Sequence, residues 1–258
     1  MNARIVAPAR GVRWVLEGAR MFAGAPLGWM LLAFGYLILT LLLTRVPLIG
    51  TTLGLLLYPG FTVGFMIASR ASALHQRLEM QMLFAGFQER ARGQLALGAI
   101  YLAGVTLAIL GSSLVDDGVL LRAFLGQAPV AEEGTEDSRA GVLAALVLTL
   151  PTAMAVFFAP LLVAWHGMTP VKAAFFSFFA CLLNWRAFAL YLAFGVVLMI
   201  LISNLVLGLA LALAGPRGAD PAALLSVLFM TMMLIALPVM MSSFYASYRD
   251  LFGPPGSA

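Results

Sequence analysis

Charge and cysteine are scarce in this chain. Asp, Glu, Lys and Arg make up only 10% of its 258 residues, against roughly a quarter in a soluble globular domain. So few charges cannot cover a water-facing surface. The lone cysteine, Cys181, excludes an internal disulfide framework and any CxxC metal or redox motif. The two histidines, His75 and His166, belong to no HExxH pattern and lie near no carboxylate pair at ligand spacing. No GxSxG, Walker or dinucleotide glycine pattern occurs, and Asp116-Asp117 lacks the further ligands of a metal-dependent phosphotransferase site. No catalytic residue, metal ligand or cofactor is expected, and the chain reads as non-enzymatic. Met1 to Gly11 carries Arg4 and Arg10 but has no apolar core before Trp14, so no removable signal peptide is expected.

Apolar residues fill the space that charge leaves. They make up 62% of the chain, and the mean hydropathy is +1.01. A helix rises about 1.5 Å per residue and the hydrocarbon core of a bilayer is roughly 30 Å thick. Six stretches reach that length: Leu27 to Leu43, Thr51 to Ser69, Leu95 to Leu114, Gly141 to Ala164, Ala187 to Ala214 and Ala222 to Tyr245. Thr44-Arg45-Val46-Pro47-Leu48-Ile49-Gly50 joins the first two as a tight hairpin, and Gly215 to Pro221 joins the last two. The middle connection, about 115–139, is long and carries the acidic run Glu132-Glu133-Gly134-Thr135-Glu136-Asp137, read as a solvated linker.

A pattern recurs along these stretches. A proline is followed six residues later by phenylalanine three times: Pro59/Phe65, Pro151/Phe157 and Pro238/Phe244. Each odd-numbered span is preceded by a short stretch of different character. Val12 to Phe22 sets Arg13, Glu17 and Arg20 on one helical face and Val12, Val15, Ala19 and Phe22 opposite. Met80 to Phe87 forms an apolar stripe of Met80, Leu83, Phe84 and Phe87. Pro170 to Phe179 runs into Phe175, Phe176, Phe178 and Phe179. Phe22-Ala23-Gly24, Phe84-Ala85-Gly86 and Phe179-Ala180-Cys181 align within them, and Tyr36-Leu37, Tyr101-Leu102 and Tyr191-Leu192 follow.

The expected fold is therefore an all-α integral membrane domain spanning 1–258. Its six transmembrane helices form three parallel two-helix repeats, about 12–75, 78–168 and 169–252, each preceded by a cytoplasmic interfacial amphipathic helix. Trp14, Phe22, Phe84, Phe87, Phe175 and Phe179 are the candidate interfacial aromatics. With six spans both termini share a side. That side receives 11 of the 15 Lys and Arg, and seven of the 11 acidic residues fall on the other. The excess of basic residues places both termini in the cytoplasm. Arg70, Arg77, Lys172, Arg186 and Arg249 on the basic side are candidate contacts for lipid headgroups.

Within a helix, Pro59, Pro151 and Pro238 each remove one backbone hydrogen bond and crowd the carbonyl four residues earlier, so kinks are expected there. Gly60, Gly64, Gly98 and Gly195 suit close helix contact. No Asp, Glu, Lys or His lies deep in a span, which disfavours ion-coupled transport. No Gly/Pro pair marks a discontinuous helix. The deepest polar residues, Ser203, Asn204, Ser242 and Ser243, suit interhelical hydrogen bonds.

Trp14 to Phe22, Trp29, Tyr36-Leu37, the hairpin Val46 to Gly50 and Leu83-Phe84-Ala85-Gly86-Phe87 together resemble an uncharacterised family of proteobacterial inner-membrane proteins. The chain is more distantly similar to the membrane domain attached to some glycerophosphodiester phosphodiesterases. The resemblance covers most of the chain, is strongest before Tyr101, and implies a six-helix bacterial inner-membrane protein. It brings no catalytic residue, because the phosphodiesterase chemistry belongs to a separate domain. Mitochondrial carriers also have three two-span repeats, but their proline lies on odd spans before an acidic residue, unlike here. The expected role is binding or moving lipids or other amphiphiles through a groove between repeats. The alternative is a structural, scaffold or regulatory membrane protein acting through self-association or a partner protein. Membrane lipids are the expected partners, and no nucleic acid is.

Overall fold

The structure, a computed structural model, describes residues 3–46, 49–125, 136–214 and 220–253. Among these residues the regular secondary structure is entirely helical. The helices are α1 (Arg10–Gly24), α2 (Pro26–Thr44), α3 (Ile49–Ala73), α4 (Ala85–Ser112), α5 (Val119–Phe124), α6 (Glu136–Phe157), α7 (Ala159–His166), α8 (Pro170–Leu183), α9 (Trp185–Ala214) and α10 (Pro221–Phe252). A 3₁₀ turn, Met80–Phe84, precedes α4. Among the described residues six segments are long and apolar enough to cross a bilayer: Pro26–Thr44, Ile49–Ala73, Arg90–Ser112, Arg139–His166, Trp185–Leu209 and Leu224–Phe252. They coincide with the six expected from sequence. The last continues seven residues past Tyr245, because Tyr248 and Leu251 are buried residues that extend its packed face. Pro47, Leu48, the acidic run 132–135 and 215–219 lie outside the described residues.

Pro59, Pro151 and Pro238 all lie inside helices. The fourth span, however, is discontinuous. It breaks at Phe158, seven residues beyond Pro151, and restarts as α7 with Pro160 in the first turn. Pro160 has no N–H to donate and crowds the preceding turn, so the helix yields there. The sequence places the disturbance of this span at Pro151, whereas the interruption falls seven residues later, beside Ala159-Pro160 rather than a Gly/Pro pair. α4 carries an interruption of its own at Arg90 (φ −145°, ψ 45°), where the third span begins.

The even-numbered spans end alike. A left-handed residue closes each one: His75 (φ 55°), Gly167 (φ 64°) and Gly253 (φ 85°), which stand 16, 16 and 15 residues after the three prolines. Such a residue turns the chain off the helix axis and lets following amides bond the last free carbonyls. His75 N–H bonds Ser72 C=O, and Gln76 N–H bonds Ala71 C=O.

The chain forms two compact units. One comprises Met1–Leu37, Phe65–Leu83 and Leu183–Ala258, and the other Ile38–Gly64 and Phe84–Leu182. In the first unit α1 lies across α9 and α10. Gly11 meets the Ala187 carbonyl of α9, and a Cβ on Gly18 would sit 2.6 Å from Val239 O and Ser243 N of α10. Trp14 and Val15 are buried between these two glycine contacts. In the second unit α4 packs on α6 and α7. Gly86 meets the Gly60 carbonyl and Gly98 the Leu56 carbonyl, so α4 and α3 approach backbone to backbone. Phe84 and Phe87 both pack edge-on against Phe61, at 6.0 and 5.1 Å. A short helix within 115–139, α5, was not expected from the sequence. The buried Asp116 carboxylate starts it by accepting the Gly118 and Leu120 N–H groups, each at 3.0 Å.

Candidate functional site

Three constructions in the two units combine polar chemistry with buried space. The first is an ionic cluster where α1 meets the end of α10. Trp14 is fully buried and donates its indole N–H to Asp250 Oδ2 at 2.6 Å. Arg10 grips the same carboxylate with two donors, Nε to Oδ2 at 2.6 Å and Nη2 to Oδ1 at 2.7 Å. Arg10 also reaches Glu17 Oε1 at 3.3 Å, and Glu17 Oε2 accepts from Arg249 Nη2 at 2.7 Å. The Arg249 guanidinium then lies over the Tyr245 ring, 5.9 Å from its centre. These side chains stay partly open to solvent, so each pair contributes at most about 1 kcal/mol. The cluster fixes the geometry of four charges.

The second is an apolar groove between α9 and α10, with a volume of about 390 Å³. Gly195, Met199 and Val239 line it with Val15 of α1, and its polar atoms sit in two places. The Tyr191 hydroxyl and Ser243 Oγ hydrogen-bond at 2.8 Å. Ser203 donates to Met232 Sδ at 3.2 Å across to α10, while Asn204 turns back onto Ile200 C=O of its own helix. Ser242 Oγ is buried without a hydrogen-bond partner. Gly195 does not serve a close helix contact as expected. A Cβ there would meet nothing within 4 Å, because Gly195 faces the groove.

The third repairs the broken fourth span in the other unit. Ser177 of α8 inserts its hydroxyl into the interrupted helix, accepting the Phe158 N–H at 2.8 Å and donating to the Met154 C=O at 2.7 Å. Those two groups would bond each other in an unbroken helix. Gln94 Nε2 donates to Pro160 C=O at 3.0 Å, and Gln94 Oε1 is buried with no hydrogen-bond partner. Cys181 lies alongside, and burial pushes its thiol up to about 12, so it is neutral and unreactive near pH 7.

The residues singled out from sequence are distributed as follows. Trp14 and Arg249 meet in the ionic cluster, with Trp14 inside the protein and Arg249 partly exposed. Arg70, Arg77, Lys172 and Arg186 are exposed, and Arg186 lies 5.5 Å from the centre of the exposed Trp185 ring. Phe175 and Phe179 are exposed on α8 with ring centres 4.7 Å apart, and Phe84 is exposed. Phe22 and Phe87 are half-buried. Sequence reasoning missed Gln94, Ser177, Glu17 with Asp250 as a cluster, and Asn184, which ties the first residues down through Val6 N–H and Arg4 C=O. Pro160 was the available signal for the break. No group of three or more His, Cys, Asp or Glu suited to a metal ion occurs among the described residues.

The outward surface of the spans is apolar. Leu27, Phe34, Leu107, Val147, Leu201 and Phe229 are among many large side chains left exposed. Water would not tolerate this surface, whereas lipid tails match it. The fold is that of a polytopic α-helical membrane protein.

Over 257 residues the chain is 35% identical to a protein of Burkholderia thailandensis named a probable inner membrane protein, covering 96% of this chain and 93% of that one. It belongs to the same family of inner-membrane proteins. No model of a known protein family matches it, and no solved structure does.

Proposed function

We propose that this protein is a non-enzymatic inner-membrane protein that binds a lipid or other amphiphile in the groove between α9 and α10. The observation that carries the reading is the groove's shape and lining. It has about 390 Å³ of space walled almost wholly by aliphatic side chains, with Ser203, Asn204 and a hydroxyl chain in which Tyr191 donates to Ser243 and Ser243 to the Met240 C=O, leaving the oxygen lone pairs to accept from a polar group. That volume is within the range of small-molecule sites, roughly 300–1,000 Å³. The groove lies between the two spans of one pair, with α1 at its base, rather than between pairs.

The finer architecture belongs to the same proposal. Three parallel repeats would account for the three prolines and the three left-handed helix ends at matching offsets. The exposed apolar faces of α1 and α8 (Leu16, Val171, Phe175 and Phe179) would lie in the membrane interface on the side of the termini. The basic excess supports cytoplasmic termini.

Gly195→Trp provides the test, since the space above Gly195 is open and its backbone crowds nothing. Native mass spectrometry of the protein extracted in mild detergent is expected to detect bound lipid on the wild type. The variant should lose most of it at unchanged thermal stability. Equal lipid occupancy in both would sink the proposal. A stoichiometric partner protein retained beside an empty groove would point instead to the scaffold role.

A further inference from the structure

We infer that a second cavity, separate from the groove, is a binding site for a phosphate-bearing anion. The cavity has a volume of about 360 Å³ and lies where α1 passes the end of α3, with α10 contributing Arg249. Glu17 and Arg20 of α1 line it, with Ser72, His75 and Gln76 from the end of α3.

The charge balance favours an anion. Glu17 is the one carboxylate on the cavity wall, and both its oxygens are engaged, Oε1 by Arg10 and Oε2 by Arg249. Asp250 is held by Arg10 and Trp14. Glu17 therefore fixes Arg249 in place without leaving a free negative charge in the cavity. Arg20 makes no ion pair among the described residues, so the cluster of Arg10, Arg20, Arg249, Glu17 and Asp250 carries one unmatched positive charge at the cavity wall. Guanidinium groups flanked by neutral hydrogen-bond donors suit phosphate oxygens.

The backbone gives a second, independent argument. His75 holds a left-handed conformation (φ 55°) that side chains with a Cβ rarely adopt, whereas the corresponding ends of α7 and α10 use Gly167 and Gly253. A histidine placed where glycine would close the helix more cheaply puts an imidazole on the cavity wall. Strain of this kind points to a use for the side chain.

The experiment uses the full-length protein in maltoside micelles. It is titrated separately with inorganic phosphate and with phosphatidylglycerol carried in the micelle. Saturable binding of phosphatidylglycerol alone assigns the cavity to a lipid headgroup, and saturable binding of inorganic phosphate assigns it to a free phosphate. Arg20→Gln, at an exposed position, is expected to weaken that binding about tenfold or more through loss of a charge-assisted hydrogen bond. His75→Gly is expected to weaken it too while raising the melting temperature, and Arg45→Gln, exposed and outside the cavity, leaves it unchanged. Binding of neither probe, or wild-type affinity in Arg20→Gln, overturns the inference. Gly195→Trp fills only the groove, so it should bind phosphate or phosphatidylglycerol here as the wild type does, which separates failure of this site from failure of the groove.

Discussion

Single buried polar residues hold this membrane protein together at points the hydropathy pattern passes over. Ser177 is fully buried and replaces the missing backbone bond between Phe158 and Met154 with two of its own. Removing its hydroxyl takes one buried hydrogen bond from the Phe158 N–H and one from the Met154 C=O, which keeps only the weak Cys181 thiol donor; an unsatisfied buried group costs about 1–3 kcal/mol. Ser177→Ala is therefore expected to lower the thermal stability in detergent markedly, while Ser203→Ala, whose partner is a weakly accepting thioether, should change it little. Equal stability of the two variants would show that the break does not depend on Ser177. This role was not legible in the sequence. A serine in Phe-Phe-Ser-Phe-Phe reads as a small residue in an aromatic helix, and only the approach of α8 to the broken span gives its hydroxyl two partners. Trp14 was legible as important and not as buried, because its partner Asp250 is 236 residues away.

Among the elements, the six spans were legible with ends within seven residues, and the contacts between packed faces were not. Length and hydropathy suffice for a span, since the bilayer thickness sets the requirement. For α1 the sequence gives a charged face, Arg13, Glu17 and Arg20, and sets Val12, Val15, Ala19 and Phe22 opposite it; the buried stripe is instead Gly11, Trp14, Val15 and Gly18, because the two glycines let the backbone touch α9 and α10. Gly18→Leu should push α1 off α10, since overpacking a close contact costs about 1–3 kcal/mol or more. A cysteine placed at the buried Val15 would report it. Maleimide labelling is expected to be slow in the otherwise native chain, fast when Gly18→Leu is added, and unaffected by the unreactive Cys181. Unchanged labelling of Val15→Cys would mean that the glycine contacts do not dock α1. The fourth span carries the corresponding lesson for proline. Pro151 stays within α6, whereas Pro160, two residues past the break, coincides with the point where neighbouring Ser177 takes over the freed backbone groups of Phe158 and Met154.

At the scale of the whole molecule the testable quantity is topology. The 11-to-4 division of basic residues predicts that a fluorescent protein fused after residue 258 folds in the cytoplasm, and that alkaline phosphatase inserted in the acidic connection near residue 132 is active outside it. The reverse pattern would invert the assignment and with it the side on which Arg20 and Arg249 of the second cavity lie. The sequence by itself determined the medium, the number of spans and the family, because transfer of a helix into lipid depends on composition summed over about 20 residues, whichever neighbours those residues meet. Tertiary structure alone decided where the backbone breaks, which glycines are contacts and which, like Gly195, border open space. It also decided that Arg10, Glu17, Arg249 and Asp250 form one cluster. Those outcomes depend on side chains brought together from opposite ends of the chain, and no local pattern encodes that meeting.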